Sequence, residues 1–448
     1  MTQERKLFGT DGIRGEANKG YMTADIALKL GRAVSSILPK QKHKLALIGK
    51  DTRLSCYMIE PAITAGLVSA GVDVILLGPI PTPAVAILTK SMRADIGIMI
   101  SASHNPFMDN GIKIFNNEGY KISDSEELII EQSIFTDSSE FLVSSDRIGR
   151  VQRLEDAKGR YIEYIKNSFP KNLTLAGLKI AIDAANGAAY GIAGKIFWEL
   201  GAEIVNINNS PNGININEEC GATHPQKLID IVCQEKCDIG IGLDGDADRI
   251  IIIDEKGNII DGDQIIALIA THMLKENKLR SKTVVTTVMS NLGLEHYLNS
   301  LDIQMIRSKV GDRYVLEEMK KRNCNLGGEQ SGHIIMTDYG TTGDGLIAAL
   351  QILSVMVKTQ KKSSDIFNLF QPYIQLKENL KIDHRLNQLQ DKFLVKITQE
   401  TEALLGKNNR VLIRKSGTES ILRIMVEGQN YTLLAQAIKD LIAKLYLH

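Results

Sequence analysis

At 448 residues the chain exceeds what one hydrophobic core can serve, and since domains typically hold ~100 to 200 residues it is expected to form three or four. Its 53 basic and 53 acidic residues cancel, which excludes the net positive field that holds a nucleic acid backbone or an anionic membrane and leaves a small molecule as the partner. No run approaches the ~20 apolar residues of a membrane span, and the opening MTQERKLFG lacks a signal peptide's apolar stretch, so a cytoplasmic protein is expected.

The first feature in chain order is GTDGIRG, which puts Arg14 on a glycine-flanked turn. A β-prone run at residues 45–49 follows, then a helical stretch, a second apolar run VDVILLG from Val72, and a closing run DIGIMISASHNP from Asp95. The same order recurs with residues 179–183, AEIVNIN from Ala202 and DIGIGLDGDADR from Asp238. It recurs again with residues 284–288, IQMIRSKVGD from Ile303 and CNLGGEQSGH from Cys324; here Leu294, Tyr297, Leu298 and Leu301 mark the helix. Each β-α-β succession predicts parallel strands. Ligands of such sheets gather beyond the carboxyl ends of the strands, so the three closing loops are where a site is expected. After about Gln371 the pattern changes to a helical stretch, two β-prone runs around RKSGTES, and a last helix with Leu434, Ile438, Leu441, Ile442 and Leu445 on one face. The expected fold class is α/β, with three similar domains of mixed, largely parallel sheets over residues 1–154, 155–256 and 257–370. A smaller α+β domain is expected over residues 371–448.

Asp244, Asp246 and Asp248 alternate, so an extended segment would aim three carboxylates to one side, and such crowding asks for a cation. Oxygen ligands select Mg²⁺, Mn²⁺ or Ca²⁺ over zinc or copper. A calcium-loop reading, with Glu255 at the twelfth position from Asp244, fails because Arg249 stands where the turn needs glycine and the flanks read as strands. The five cysteines are odd in number and scattered, which fits free thiols. Cys220, His224, Cys233 and Cys237 lie close enough to raise zinc, but residues 228–236 read as a helix carrying both later thiols and no CxxC knuckle is present, so zinc is set aside.

SASHNP places Ser101 and Ser103 just after an apolar strand. The Gly-x-Ser-x-Gly elbow of an acyl-enzyme is absent, and His104 adjoins Ser103 on what reads as extended chain, where neighbours point to opposite faces. A serine that carries phosphate and presents it to a cation fits the aspartate loop better, and its charge of about −1.5 to −2 would need cations nearby. Arg14, Lys113 in NGIKIF and Arg249 are the candidates. In RKSGTES, Arg414 brings a fork-shaped cation and the loop brings hydroxyls and free N–H groups, which is phosphate-binding chemistry. No Walker sequence occurs, which argues against a nucleotide triphosphatase. Glu329 and Ser331 in GGEQSGH could pair with sugar hydroxyls.

With GTDGIRG, SASHNP, DGDADR, GGEQSGH and RKSGTE in this order, the chain resembles the α-D-phosphohexomutases over nearly its whole length. The resemblance implies four domains around one central cleft, a phosphorylated Ser103, and Mg²⁺ held by that phosphate with Asp244, Asp246 and Asp248. It also implies that Arg14, Lys113 and Arg249 support the phosphoserine, that Glu329 and Ser331 contact the sugar, and that Lys309 borders the cleft. Arg414, Ser416, Gly417 and Thr418 would hold the phosphate not being transferred. KLFGTDGIRG, KVGDRYV from Lys309, and Asp312 where hexose phosphomutases tend to carry histidine point to the family's amino-sugar branch. Ser420 replaces the proline that usually ends the phosphate loop. The implied activity is interconversion of glucosamine 6-phosphate and glucosamine 1-phosphate through glucosamine 1,6-bisphosphate, as intermediate and activator, in peptidoglycan precursor synthesis. A mannose or glucose phosphomutase, a non-catalytic sugar-phosphate binder and a simple phosphatase are the rivals. The sequence leaves His333, Lys113 and Asp312 open as general acid and base, and leaves room for a homodimer.

Overall fold

The computed structural model describes residues 6–9, 11–39, 43–136, 138–382, 391–415 and 421–447. The chain divides into two compact units, Met1–Met289 with Gln304–Asn368, and Ser290–Ile303 with Leu369–His448.

The first unit holds three sheets. The first contains β1 (Phe8–Gly9), β2 (Gly12–Glu16), β3 (Lys44–Lys50), β4 (Val72–Pro79), β5 (Ile96–Ile100), β6 (Asp109–Asn116) and β7 (Val151–Arg153) in the order β1-β2-β6-β5-β3-β4-β7. The second contains β8 (Lys179–Asp183), β9 (Glu203–Ile207), β10 (Ile239–Leu243), β11 (Ile250–Asp254) and β12 (Ile259–Ile260) in the order β12-β11-β10-β8-β9. The third runs β14-β13-β15-β16, from β13 (Thr283–Thr287), β14 (Gln304–Ser308), β15 (Leu326–Gly328) and β16 (Ile334–Met336).

The repeat read from the sequence reappears as one topology. In each sheet the first strand of the repeat lies between the second and third and is parallel to both: β3 between β4 and β5, β8 between β9 and β10, β13 between β14 and β15. β5, β10 and β13 are buried along their whole length, which is why β5 (IGIMI) and β10 (IGIGL) carry no alternating polar residues. A fourth strand, absent from the sequence repeat, then turns back antiparallel on the third: β6 on β5, β11 on β10, β16 on β15. That reversal matters for the site, because each closing loop becomes a hairpin whose return strand carries or adjoins a functional side chain.

Local signals set the helices. Gly262–Lys275 starts at Asp261, whose carboxylate accepts the Gln264 N–H while Gln264 reaches back to the cap, and it buries Ile265, Ile266, Leu268, Ile269 and Met273. The helix Gln226–Gln234 begins and ends two residues earlier than the sequence predicts: Lys236 turns left-handed (φ 54) and Cys237 N–H donates to the Val232 carbonyl, so Cys233 rides on the helix while buried Cys237 lies beyond it.

The second unit is built on an antiparallel sheet, β17-β19-β18, from β17 (Ile374–Lys381), β18 (Arg410–Lys415) and β19 (Ile421–Gly428). Helices Asp391–Leu405 and Tyr431–Leu447 supply its core, where Leu394, Ile397, Leu434, Ile438, Leu441 and Leu445 pack with Val411, Ile424 and Val426. The helix Leu292–Ser300 also belongs here: Leu292 N–H donates to Glu427 at 2.9 Å, and Arg410 donates to the Ser290 carbonyl at 2.9 Å. Among the described residues no helix is long and apolar enough to cross a membrane.

Candidate active site

Ser103 follows β5 in a left-handed conformation (φ 52) and is 1% exposed. Its N–H donates to Ser101 Oγ at 2.9 Å, and its carbonyl accepts from Arg53 at 3.2 Å and Asn217 at 2.8 Å. With the backbone fixed from both sides, its hydroxyl donates to Asp244 Oδ2 at 2.7 Å. His104 turns instead to Arg249, whose Nη1 lies 2.9 Å from His104 Nδ1. Burial, with Arg249 and Arg14, lowers the His104 pKa to about 4, so the ring is neutral and accepts that bond.

The three aspartates converge, but not by strand alternation. β10 ends at Leu243, and the chain then curls: Ala247 is left-handed (φ 57) and its N–H donates to the Asp244 carbonyl at 3.0 Å. This turn brings one oxygen from each of Asp244, Asp246 and Asp248 within 4.8 Å of the others, all three residues buried. Asp246 Oδ2 accepts from Thr82 Oγ1 at 2.5 Å and Lys113 Nζ at 2.9 Å, and Asp248 Oδ2 accepts from Lys113 at 3.2 Å. Asp246 Oδ1 and Asp248 Oδ1 are buried with no partner among the described residues. Burial, reinforced by Asp248 and Asp246, pushes Asp244 up to about 8. Burial pushes Asp248 upward too, but Lys113, His333 and Arg249 outweigh it and hold that carboxyl well below the usual range. Crowded carboxylates with two unsatisfied oxygens fit a hard divalent cation, which would relieve both the repulsion and the desolvation.

Lys113 comes from the return strand β6 and is 1% exposed. Besides the two aspartates it lies 3.5 Å from Asp11. Burial disfavours its charge, yet Asp11, Asp246 and Asp248 raise its pKa well above the usual lysine value. Asp11 also pairs with Lys121 and with Arg14, and Lys121 reaches Asp312 at 2.6 Å. His333, at the end of the third closing loop, stands between Asp248 (3.7 Å from Nδ1) and Asp312 (3.6 Å from Nε2), and the Gly343 N–H donates to its Nε2 at 3.0 Å. Gly332 sets this turn: it has φ 90, and a Cβ there would run into the Ile250 carbonyl.

Of the side chains singled out in the sequence, Ser103, Lys113, Arg249 and the aspartates thus come together, with Arg14 opposite Gly111 on the next strand. Glu329 accepts the Gly311 N–H at 3.0 Å and so joins the GGEQSG and KVGD loops, while Ser331 and Lys309 are exposed. In the second unit Arg414 lies opposite Arg423 in the β18-β19 register, and burial together with Arg423 lowers its pKa. Ser416, Gly417, Thr418 and Ser420 lie outside the described residues. Thr82, Asp11, Lys121, Arg53 and Asn217 were missed. Asp11 stood inside GTDGIRG and Thr82 in a proline-flanked helix start, but their partners are far away in sequence.

The arrangement has known counterparts. Family profiles described as phosphoglucomutase/phosphomannomutase match four times in succession: alpha/beta/alpha domain I over residues 5–141, domain II over 159–257, domain III over 261–373 and the C-terminal domain over 373–444. A phosphoglucosamine mutase from Parvibaculum lavamentivorans is 53% identical over 440 residues, covering 98% of both chains. One from Zymomonas mobilis is 52% identical over 435 residues, covering 97% of both. Among solved structures, a phosphoglucomutase/phosphomannomutase family protein from Burkholderia thailandensis superposes with a TM-score of 0.82 at 25% identity, over 98% of this chain and 96% of that one. Aspergillus fumigatus N-acetylphosphoglucosamine mutase, solved with GlcNAc-6P and magnesium, shares the fold with a TM-score of 0.66 at 17% identity, over 98% and 95% of the two chains. By its four profile matches and its full-length relatives, the chain belongs to the phosphoglucomutase/phosphomannomutase family of α-D-phosphohexomutases.

Proposed function

We propose that this enzyme interconverts glucosamine 6-phosphate and glucosamine 1-phosphate in the cytoplasm, supplying UDP-N-acetylglucosamine and peptidoglycan precursor synthesis. The full-length phosphoglucosamine mutase relatives support the substrate. The observation that carries the mechanism is the Ser103 hydroxyl, held 2.7 Å from Asp244 inside the aspartate cluster.

In this reading phosphorylated Ser103 gives its phosphoryl group to a hydroxyl of the bound sugar phosphate. The serine oxygen is the leaving group, the sugar oxygen forms the new ester, and the product is glucosamine 1,6-bisphosphate. The other phosphoryl group then returns to Ser103 and rearms it, so added bisphosphate also activates dephosphorylated enzyme. Asp244, Asp246 and Asp248 would hold Mg²⁺, which supplies charge neutralisation for phosphoryl transfer. Lys113 stays protonated among its three carboxylates and acts as a fixed charge rather than a base. His333 and Asp312 remain as proton carriers for the sugar hydroxyl. Arg14 and Arg249 support the phosphoserine. Glu329, Ser331 and Lys309 are proposed to bind the sugar, and Arg414 with Ser416, Gly417 and Thr418 its other phosphate. We also place the domain boundaries at residues 154, 256 and 370.

Turnover of glucosamine, glucose and mannose phosphates by the purified protein tests the reading. The highest kcat/KM is expected on glucosamine 6-phosphate. Faster turnover of a hexose phosphate, or release of inorganic phosphate at the rate of sugar conversion, would contradict it.

A further inference from the structure

We propose that Thr82 is a positioning residue that restricts Asp246 to a single metal-binding oxygen, and thereby favours Mg²⁺ over Ca²⁺. The inference rests on the reading that the aspartates hold a divalent cation. It adds a residue from the first sheet's connections to a cluster on the second sheet.

Thr82 opens the ten-residue helix Thr82–Ser91, between Pro81 at the N-cap and Pro83. An N–H at this position has no acceptor within its own helix. It donates to the Asp246 carbonyl at 3.0 Å, while Thr82 Oγ1 donates to Asp246 Oδ2 at 2.5 Å. Thr82 is 0% exposed, so water does not compete for these bonds. Lys113 Nζ donates to the same Oδ2 at 2.9 Å. Two donors therefore occupy Oδ2, and a carboxylate oxygen has only two lone-pair directions. Oδ1 is buried with no partner among the described residues and is the oxygen left for a cation.

The consequence is a monodentate ligand that cannot swivel. Turning Asp246 to offer both oxygens would strip Oδ2 of its bonds to a buried hydroxyl, which would then be unsatisfied, and to a buried ammonium, which would keep only Asp248 and Asp11. Ca²⁺ gains from carboxylates that bind through both oxygens, because it takes more ligands at longer distances; Mg²⁺ demands near-octahedral, one-oxygen contacts. Thr82 thus sets which coordination Asp246 can offer without touching the cation itself.

Mn²⁺ binding read by electron paramagnetic resonance, followed by displacement with Mg²⁺ or Ca²⁺, tests this on the whole protein without turnover. Thr82→Val keeps the shape and loses the donor; it should bind Mg²⁺ about tenfold more weakly while holding Ca²⁺ as the wild type does. Thr82→Ser restores the donor and should keep the wild-type preference, so it remains decisive if the valine variant folds poorly. Loss of packing alone would weaken both ions alike and lower the thermal midpoint of both variants. Equal Mg²⁺ affinity in Thr82→Val and wild type, equal losses for the two ions, or an altered preference in Thr82→Ser would each overturn the proposal. Mn²⁺ binding that is undiminished in Asp244→Asn would sink the aspartate reading itself, and the role of Thr82 with it.

Discussion

Lys113 shows how closely stability and chemistry are joined at single residues. It is buried against Asp246, Asp248 and the partly exposed Asp11, so it offsets the cost of placing Asp246 and Asp248 out of water. Lys113→Met keeps much of the side chain's volume but leaves the acids without their cation. Removing one partner of a buried ionic cluster costs about 3 kcal/mol or more, and losing a fixed charge at a site of phosphoryl transfer lowers kcat by about 100-fold. Denaturant unfolding and steady-state kinetics on the same variant check both; wild-type stability with lost activity would refute the structural half. The sequence announces some of these residues and hides others for a physical reason. Ser103 and the three aspartates lie in short turns whose chemistry is written in adjacent letters. Arg53 and Asn217 fix the Ser103 carbonyl from 50 and 114 residues away, and nothing in a local window ties them to it.

At the scale of elements, alternating aspartates suggest an extended segment, and the structure instead curls them around a left-handed Ala247. The expected convergence was right and its cause was not. The antiparallel return strands β6, β11 and β16 escaped the repeat because their local apolar character does not reveal strand direction, which is set by the length of the connection. β17 was missed because its sequence, IQLKENLK, has a weak apolar pattern and stands in full register with β19. The turn between β11 and β12 carries another element-level bond. Glu255 accepts from Ser363 Oγ at 2.7 Å, Ser364 N–H at 2.8 Å and Ser364 Oγ at 2.6 Å, tying this hairpin to the helix Ser363–Ile366. Burial works against the Glu255 charge, but the hydroxyls of Ser364 and Ser363 bring its pKa down from 4.5 to about 2. A depressed carboxylate pKa means that the folded state releases the proton more readily than the unfolded one. The stabilisation is therefore present above pH 4.5 and lost as pH falls through about 2. Glu255→Gln should cost about 1.5 kcal/mol at neutral pH, and urea unfolding should show the gap from wild type closing through that acid window. A gap that stays constant with pH would mean the charge is irrelevant.

For the whole molecule, three loops of different composition sit at equivalent hairpins of three sheets: SASHNP between β5 and β6, DGDADR between β10 and β11, and GEQSGH between β15 and β16. Repetition supplies the placement, and divergence of the loops supplies the proposed division of labour among phosphoryl carrier, cation ligands and sugar contacts. This logic was readable from the recurring β-α-β order, whereas the charge pairs Asp11 with Lys121 and Lys121 with Asp312 emerge only once the sheets are packed. The account stands or falls on Ser103 as the covalent carrier. Intact-mass and peptide mass spectrometry after incubation with glucosamine 1,6-bisphosphate should find one phosphoryl group on Ser103, transferred to the sugar when glucosamine 6-phosphate is added. A folded Ser103→Ala protein should take up none and show no mutase activity. Turnover by that variant, or a phosphoryl group carried on another residue, would contradict the account.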